Sequence, residues 1–523
     1  MVKGIKVVCA VVGLGLAMAG GRVYAADIYV DMLADGSAAD GSQEKPYVTI
    51  QAGVDAAAAG DTVWVKSGEG RDYAITDDSN AVSIPEEKSG LTLRGWGDEK
   101  VLISCTNKYE YTRSEEVFDD DEDGIIIWIN KKMPPLTVNA PNVVLKDLRL
   151  VYTDDSMTTR TWKYTGCGGT SNYVPYVYFA YSGTGSVMRE CEIEGLEEPG
   201  YYGAGSKTGL VCIEAENCRF EDNRLISCKY PFGIRCASTF VGNYSTNVYE
   251  FVFNTATKDC MLDATVISNT FVNCASEGGL FSGGQNKGFS HLDVSYNVFY
   301  NDETLANKGC IVFAPWANSM NGGVSFHHNT VVGWKYLYVH QNFWGAKLFK
   351  MYDNVIWLLE GGATFWDKQF WDSSDPFSAG NRAVFLDSEN RWIWTSITDE
   401  DLDVGIYNEK STEIRSNVFR EGLPLHANAY FGQTRYGENL FDADWAYTVL
   451  TNRAIVSNNV YLAEAPVFVS MDVGNENFMK AKQNKNRLWA DKAYAWGGSD
   501  GTAELFIGAK PIIRDTALVI RVQ

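Results

Sequence analysis

Beyond Ala19 the sequence lacks any apolar run long enough to cross a membrane. It also lacks positive charge: the formal net charge is −21 over 523 residues. That balance excludes nucleic acid and anionic membrane as general partners, because both require a basic field. A polyanionic sugar would need a local basic patch or bound cations to offset it. Helix-length amphipathic patterns are missing from the body of the chain, where apolar residues alternate over only four to six positions. No cysteine follows Cys310.

The amino terminus carries Lys3 and Lys6, then the apolar run Val7 to Ala19, then Val23, Tyr24 and Ala25. This is the pattern of a secretory signal peptide over residues 1–25, with a mature chain starting at Ala26 and secreted to the periplasm or the outside. Cys9 lies within the run, so no lipid anchor is expected on it. Ten of the eleven cysteines follow, from Cys105 to Cys310. Cys191 and Cys218 open the similar strings CEIEG and CRFED, and Cys228 and Cys274 each sit five residues after a repeated asparagine. Equivalent positions in stacked repeats predict small buried thiols, with disulfides the other reading open to an exported chain.

What the sequence does contain is a repeat. CRFEDNRLI, TVISNTFV, LDVSYNVFY, VSFHHNTVV, FKMYDNVIW, TEIRSNVF and AIVSNNVYL share an apolar alternation, an asparagine and two or three apolar residues. The asparagines are Asn223, Asn269, Asn297, Asn329, Asn354, Asn417 and Asn459. A recurring period of this kind marks a solenoid, and the short alternations are strands. An asparagine at a fixed bend holds a tight turn and passes amide hydrogen bonds to its neighbours in adjacent coils.

On these strings the chain resembles the pectate-lyase-like right-handed parallel β-helix proteins. Its opening segment, IYVDMLADGSAADGSQEKPYVTIQAGVDAAAAGDTVWVKSGEG, is similar to the cap of that superfamily: Pro46 to Gln51 lead into a short alanine-rich helix, and Gly60 to Val63 into the first strand. The resemblance implies an all-β, single-stranded right-handed parallel β-helix over residues 26–470, with an N-terminal capping helix and a C-terminal cap over 471–523. Insertions are expected near 106–133 and 367–411, where the repeat breaks, forming walls of a binding groove. The paired-aspartate and Gly-His-Gly strings of polygalacturonase-like hydrolases are absent. So are the Arg-x-Pro-x-x-Arg string of pectate lyases and the Lys-Ser pair of alginate-lyase-like members.

In the resembling lyases the groove lies on the sheet reached about ten residues after the asparagine bend. Here that sheet would comprise 232–236, 279–283, 310–314, 336–340 and 362–366. With Ile234, Leu280, Val312, Leu337 and Val339 inward, the outer face would carry Arg235, Phe281, Phe313, Tyr338, His340 and Trp366. Phe281, Tyr338, Trp366 and Lys287 are then the substrate-binding candidates. Aromatic faces stack on sugar rings, although the same rings also stack between coils for stability.

β-Elimination of a uronate requires neutralisation of the carboxylate, a base and a proton for the leaving oxygen. The resemblance implies a Lys or Arg base, often with calcium. Arg235 is the first choice for the carboxylate, with His340 or Lys335 as base. Asp119, Asp121 and Asp123, followed by Gly124, fit half of a calcium loop, but Asn130 replaces its twelfth-position glutamate, and a solvated acidic loop is the alternative. The expected function is a secreted, monomeric polysaccharide-active protein acting on an acidic extracellular glycan, a lyase in preference to a hydrolase or a non-catalytic glycan-binding surface protein.

Overall fold

The computed structural model describes residues 25–76, 79–105, 134–152, 176–195, 210–228, 230–254, 262–274, 279–282, 289–302, 309–314, 323–340, 349–367, 412–423, 454–457, 459–466, 468–475 and 477–480, with short strands at 116–118, 126–128, 162–163, 170–171, 384–386, 392–394 and 426–428. Residues 1–24 of the expected signal peptide lie outside this set.

The chain winds through three long parallel sheets in a fixed order. Sheet A has thirteen strands, from Asp27–Val30 to Ala454–Ser457; sheet B has eleven, from Val101–Cys105 to Val460–Leu462; sheet C has eleven, from Val82–Ile84 to His426–Asn428. Each coil visits A, then B, then C, and pairs with the coils before and after it. This is a right-handed parallel β-helix. Among the described residues no helix is long and apolar enough to cross a membrane.

The turn from A to B explains the repeat. In most coils it is two residues: one with left-handed backbone, such as Asp222, Ser268, Tyr296, His328, Asp353 or Ser416, and then the asparagine. Asn297 shows the pattern. Its side-chain amide donates to Val266 O at 2.8 Å and to Asn329 Oδ1 at 3.0 Å, while its own Oδ1 accepts from Asn269 N at 2.8 Å. The buried amides are thereby saturated, as an interior without water requires.

The core is filled by columns of like residues. Phe271 and Phe299, on neighbouring strands of sheet B, stack with centroids 4.9 Å apart and planes 3° from parallel. Each fully buried ring contributes about 2–3 kcal/mol of transfer free energy. Cys228 and Cys274 share one such column, two coils apart, as the sequence strings suggest. Cys191 and Cys218 do not: Cys191 precedes a strand of sheet B, whereas Cys218 begins a strand of sheet A. Of the eight described cysteines, all but Cys236 are buried.

At the first coil, helix Ile50–Ala56 starts from Thr49, whose side chain accepts from Ala52 N. A Cβ at Gly53 would lie 2.5 Å from Val30 Cγ2, so only glycine lets the helix approach the first strand this closely. Gln51 donates to Ser83 O and accepts from Ser83 N, meeting the edge strand of sheet C where no further strand pairs with it. In the other direction, Phe478 and Met479 return along the outer face of sheet B and cover Val272 and Val298. Residues 481–523 lie outside the described set.

Candidate functional site

Sheet C is where chain length varies. From residue 62 to residue 462, every connection of more than ten residues between solenoid strands enters or leaves this sheet. The segment 106–135 enters it from sheet B, and 368–411 leaves it for sheet A. The A-to-B turns stay short because each asparagine must reach its neighbour in the next coil.

On the outer side of sheet C, three consecutive strands assemble a polar cluster. Strands Val177–Phe179, Val211–Ile213 and Phe232–Ile234 pair so that Tyr178, Cys212 and Gly233 align. Val177 and Phe179 point into the core, which turns Tyr178 outward. Glu214 and Arg235 follow the paired residues Ile213 and Ile234, and so stand side by side. The Arg235 guanidinium contacts Glu214 Oε1 through Nη1, and the Tyr178 hydroxyl donates to Glu214 Oε2. Cys236 Sγ donates to the Glu214 carbonyl at 3.0 Å. The Glu214 side chain is only 7% exposed and that of Arg235 18%. A carboxylate this deeply placed is stable in its charged form only while such partners hold it.

Of the residues singled out from sequence, Arg235 stands on the outer side of sheet C as expected. Phe281 does not. It is fully buried, with its ring 6.0 Å from Phe271 and 6.3 Å from Phe299, and it aligns through Val252 with the equally buried Phe232. The expected register is wrong for two reasons. A coil bearing Asn243 intervenes between those of Asn223 and Asn269. The B-to-C path also varies: nine residues separate Asn223 from Phe232, but twelve separate Asn269 from Phe281. Ile234, Leu280, Val312 and Leu337 are buried as expected.

Tyr338 pairs with Val312 in the column that holds Phe281; Trp366 pairs with Val339, and His340 with Asp367. Lys335 lies on the turn into the same strand, its Nζ 5.3 Å from the Tyr336 ring centroid. The strands of Arg235 and His340 are four steps apart in sheet C, roughly 19 Å at about 4.8 Å per step. Arg235 therefore does not form one catalytic group with His340 or Lys335. Lys287, Asp119, Asp121 and Asp123 lie outside the described residues. Among the described residues no group of three or more His, Cys, Asp or Glu side chains converges on a metal position. His327 and His328 belong to sheet A and its turn, with Nε2 atoms 3.3 Å from Asp293 and 3.7 Å from Asp353.

Tyr178 and Glu214 were not legible as site residues. The long connection at 196–209 interrupts the period just before the strand that carries Glu214, and Tyr178 reads as one more aromatic in VPYVYFAY.

No protein-family model matches the sequence, and no curated protein matches it. Among solved structures, the fold is similar to a rhamnogalacturonan lyase at 12% identity, covering 88% of this chain and 98% of that one, with a TM-score of 0.39. It is similar to the pectate lyase Pel9A at 13% identity, covering 72% and 86%, with a TM-score of 0.41. A xylose complex of XylC matches at 10% identity, covering 86% and 88%, with a TM-score of 0.42. Likeness at this level concerns fold alone.

Proposed function

We propose that this is a secreted polysaccharide-active protein that binds an acidic glycan along sheet C and cleaves it by β-elimination, with Arg235 contacting the uronate carboxylate. The observation that carries this reading is the Tyr178–Glu214–Arg235 cluster on the outer side of sheet C, which long connections both enter and leave. A guanidinium is the side chain best suited to a planar carboxylate, and it is fixed here before substrate arrives. Hydrolysis is the weaker reading. It needs a carboxylate acting as nucleophile or general base, whereas both oxygens of Glu214 are already engaged by Tyr178 and Arg235. A role for calcium at Asp119, Asp121 and Asp123 stays a separate proposal, and no step is assigned to it.

The test is incubation of the mature protein with pectin, alginate, a glycosaminoglycan and ulvan, each with calcium or a chelator. Ultraviolet absorbance from an unsaturated uronate identifies the lyase. New reducing ends without that absorbance identify a hydrolase, and retardation in a glycan gel with neither identifies a binding module. Arg235→Lys is the informative variant. Arg235→Ala would strand the buried Glu214 charge, at a cost of about 3–5 kcal/mol, and confound stability with turnover.

A further inference from the structure

We infer that Tyr178 is the proton-transfer residue of this site and that Glu214 couples it to Arg235; this rests on the elimination reading above. One buried carboxylate serves two different partners. Its Oε2 accepts the phenol proton of Tyr178, and its Oε1 holds the guanidinium of Arg235. The two groups that elimination requires, a proton acceptor and a cation for the carboxylate, are thus tied to opposite oxygens of one side chain.

The step balances without a co-reactant. As the Tyr178 oxygen takes the hydrogen from the carbon bearing the carboxylate, its own proton passes along the existing bond to Glu214 Oε2. Glu214 becomes neutral and releases its electrostatic hold on Arg235. The fixed cation then pairs with the substrate carboxylate as negative charge builds there, in a site of low dielectric where that interaction is strongest. The electron pair from the broken C–H bond forms the carbon–carbon double bond, and the glycosidic C–O bond breaks. The leaving oxygen takes its proton from Tyr178, Glu214 returns the borrowed proton, and Arg235 pairs with it again. No water is consumed and nothing is oxidised.

A purely structural clamp would have the same contacts, but its loss would lower stability rather than turnover. The experiment therefore compares wild type, Tyr178→Phe, Glu214→Gln and the double variant on whichever of the four glycans gives unsaturated product, with melting temperature and glycan-gel retardation measured alongside. Tyr178→Phe is expected to bind glycan and melt near wild type, and Glu214→Gln to bind glycan but melt lower because the Arg235 charge loses its partner, while each loses about 10²–10⁴-fold in turnover. The double variant should lose no more than the worse single one, because the pair acts as a unit. Turnover within tenfold of wild type in folded Tyr178→Phe, or in folded Glu214→Gln should the first variant not fold, overturns this inference and leaves the elimination reading standing. Losses that multiply in the double variant overturn the coupling. A wild type that gives no unsaturated product from any of the four overturns both.

Discussion

The side-chain amide of Asn223 donates to Asn243 Oδ1 at 3.0 Å across a coil of only 20 residues. The ladder then continues through Asn269, Asn297, Asn329, Asn354, Asn417 and Asn459. Every coil from Asn223 onward is thereby pinned at the same corner.

Replacing Asn297 with Ala would strand Asn269 N and Val266 O inside the turn column, while Asn329 Oδ1 keeps the bond from the Asn297 backbone N–H. The expected loss is about 2–4 kcal/mol, read as a shift of the denaturant midpoint, because each unsatisfied buried group costs about 1–3 kcal/mol. A midpoint within experimental error of wild type would deny the ladder any part in stability.

Burial pushes the thiols of Cys105, Cys191, Cys218, Cys228 and Cys274 up to about 12. They should resist alkylation in the folded protein near neutral pH and all react once it is unfolded, with the half-buried Cys236 modified first. Mass spectrometry after timed alkylation checks the order. Disulfide-linked peptides joining any of these residues would contradict it.

Arg71 hydrogen-bonds both oxygens of Asp31, at 2.8 and 3.0 Å, and holds its carboxyl below the ordinary aspartate value. The resulting stabilisation is fully present above the unfolded value of about 3.9 and is lost as pH falls through the lower folded one. The melting-temperature advantage of wild type over Asp31→Asn should therefore be constant at neutral pH and shrink in acid. An advantage that does not change with pH would show that the pair contributes by packing alone.

The asparagine repeat and the apolar alternation were sufficient to identify the solenoid. Strand period and turn chemistry are local, and stacking repeats them often enough to be seen in one chain. Even so, VGNYSTN does not read as a coil, because Ser245 stands two residues after Asn243 where the other coils carry an apolar residue. The outward position of Arg235 on sheet C was legible from strand alternation.

Register across sheet C was decided only by the tertiary structure. Connections of unequal length enter that sheet, so counting from the asparagine sent Phe281 to the surface, whereas the paired strands bury it between Phe271 and Phe299. The partners of Arg235 also depend on the fold. Tyr178 and Glu214 lie 57 and 21 residues before it, and parallel pairing between successive coils, which no local pattern encodes, brings Tyr178 and Arg235 to the one carboxylate of Glu214.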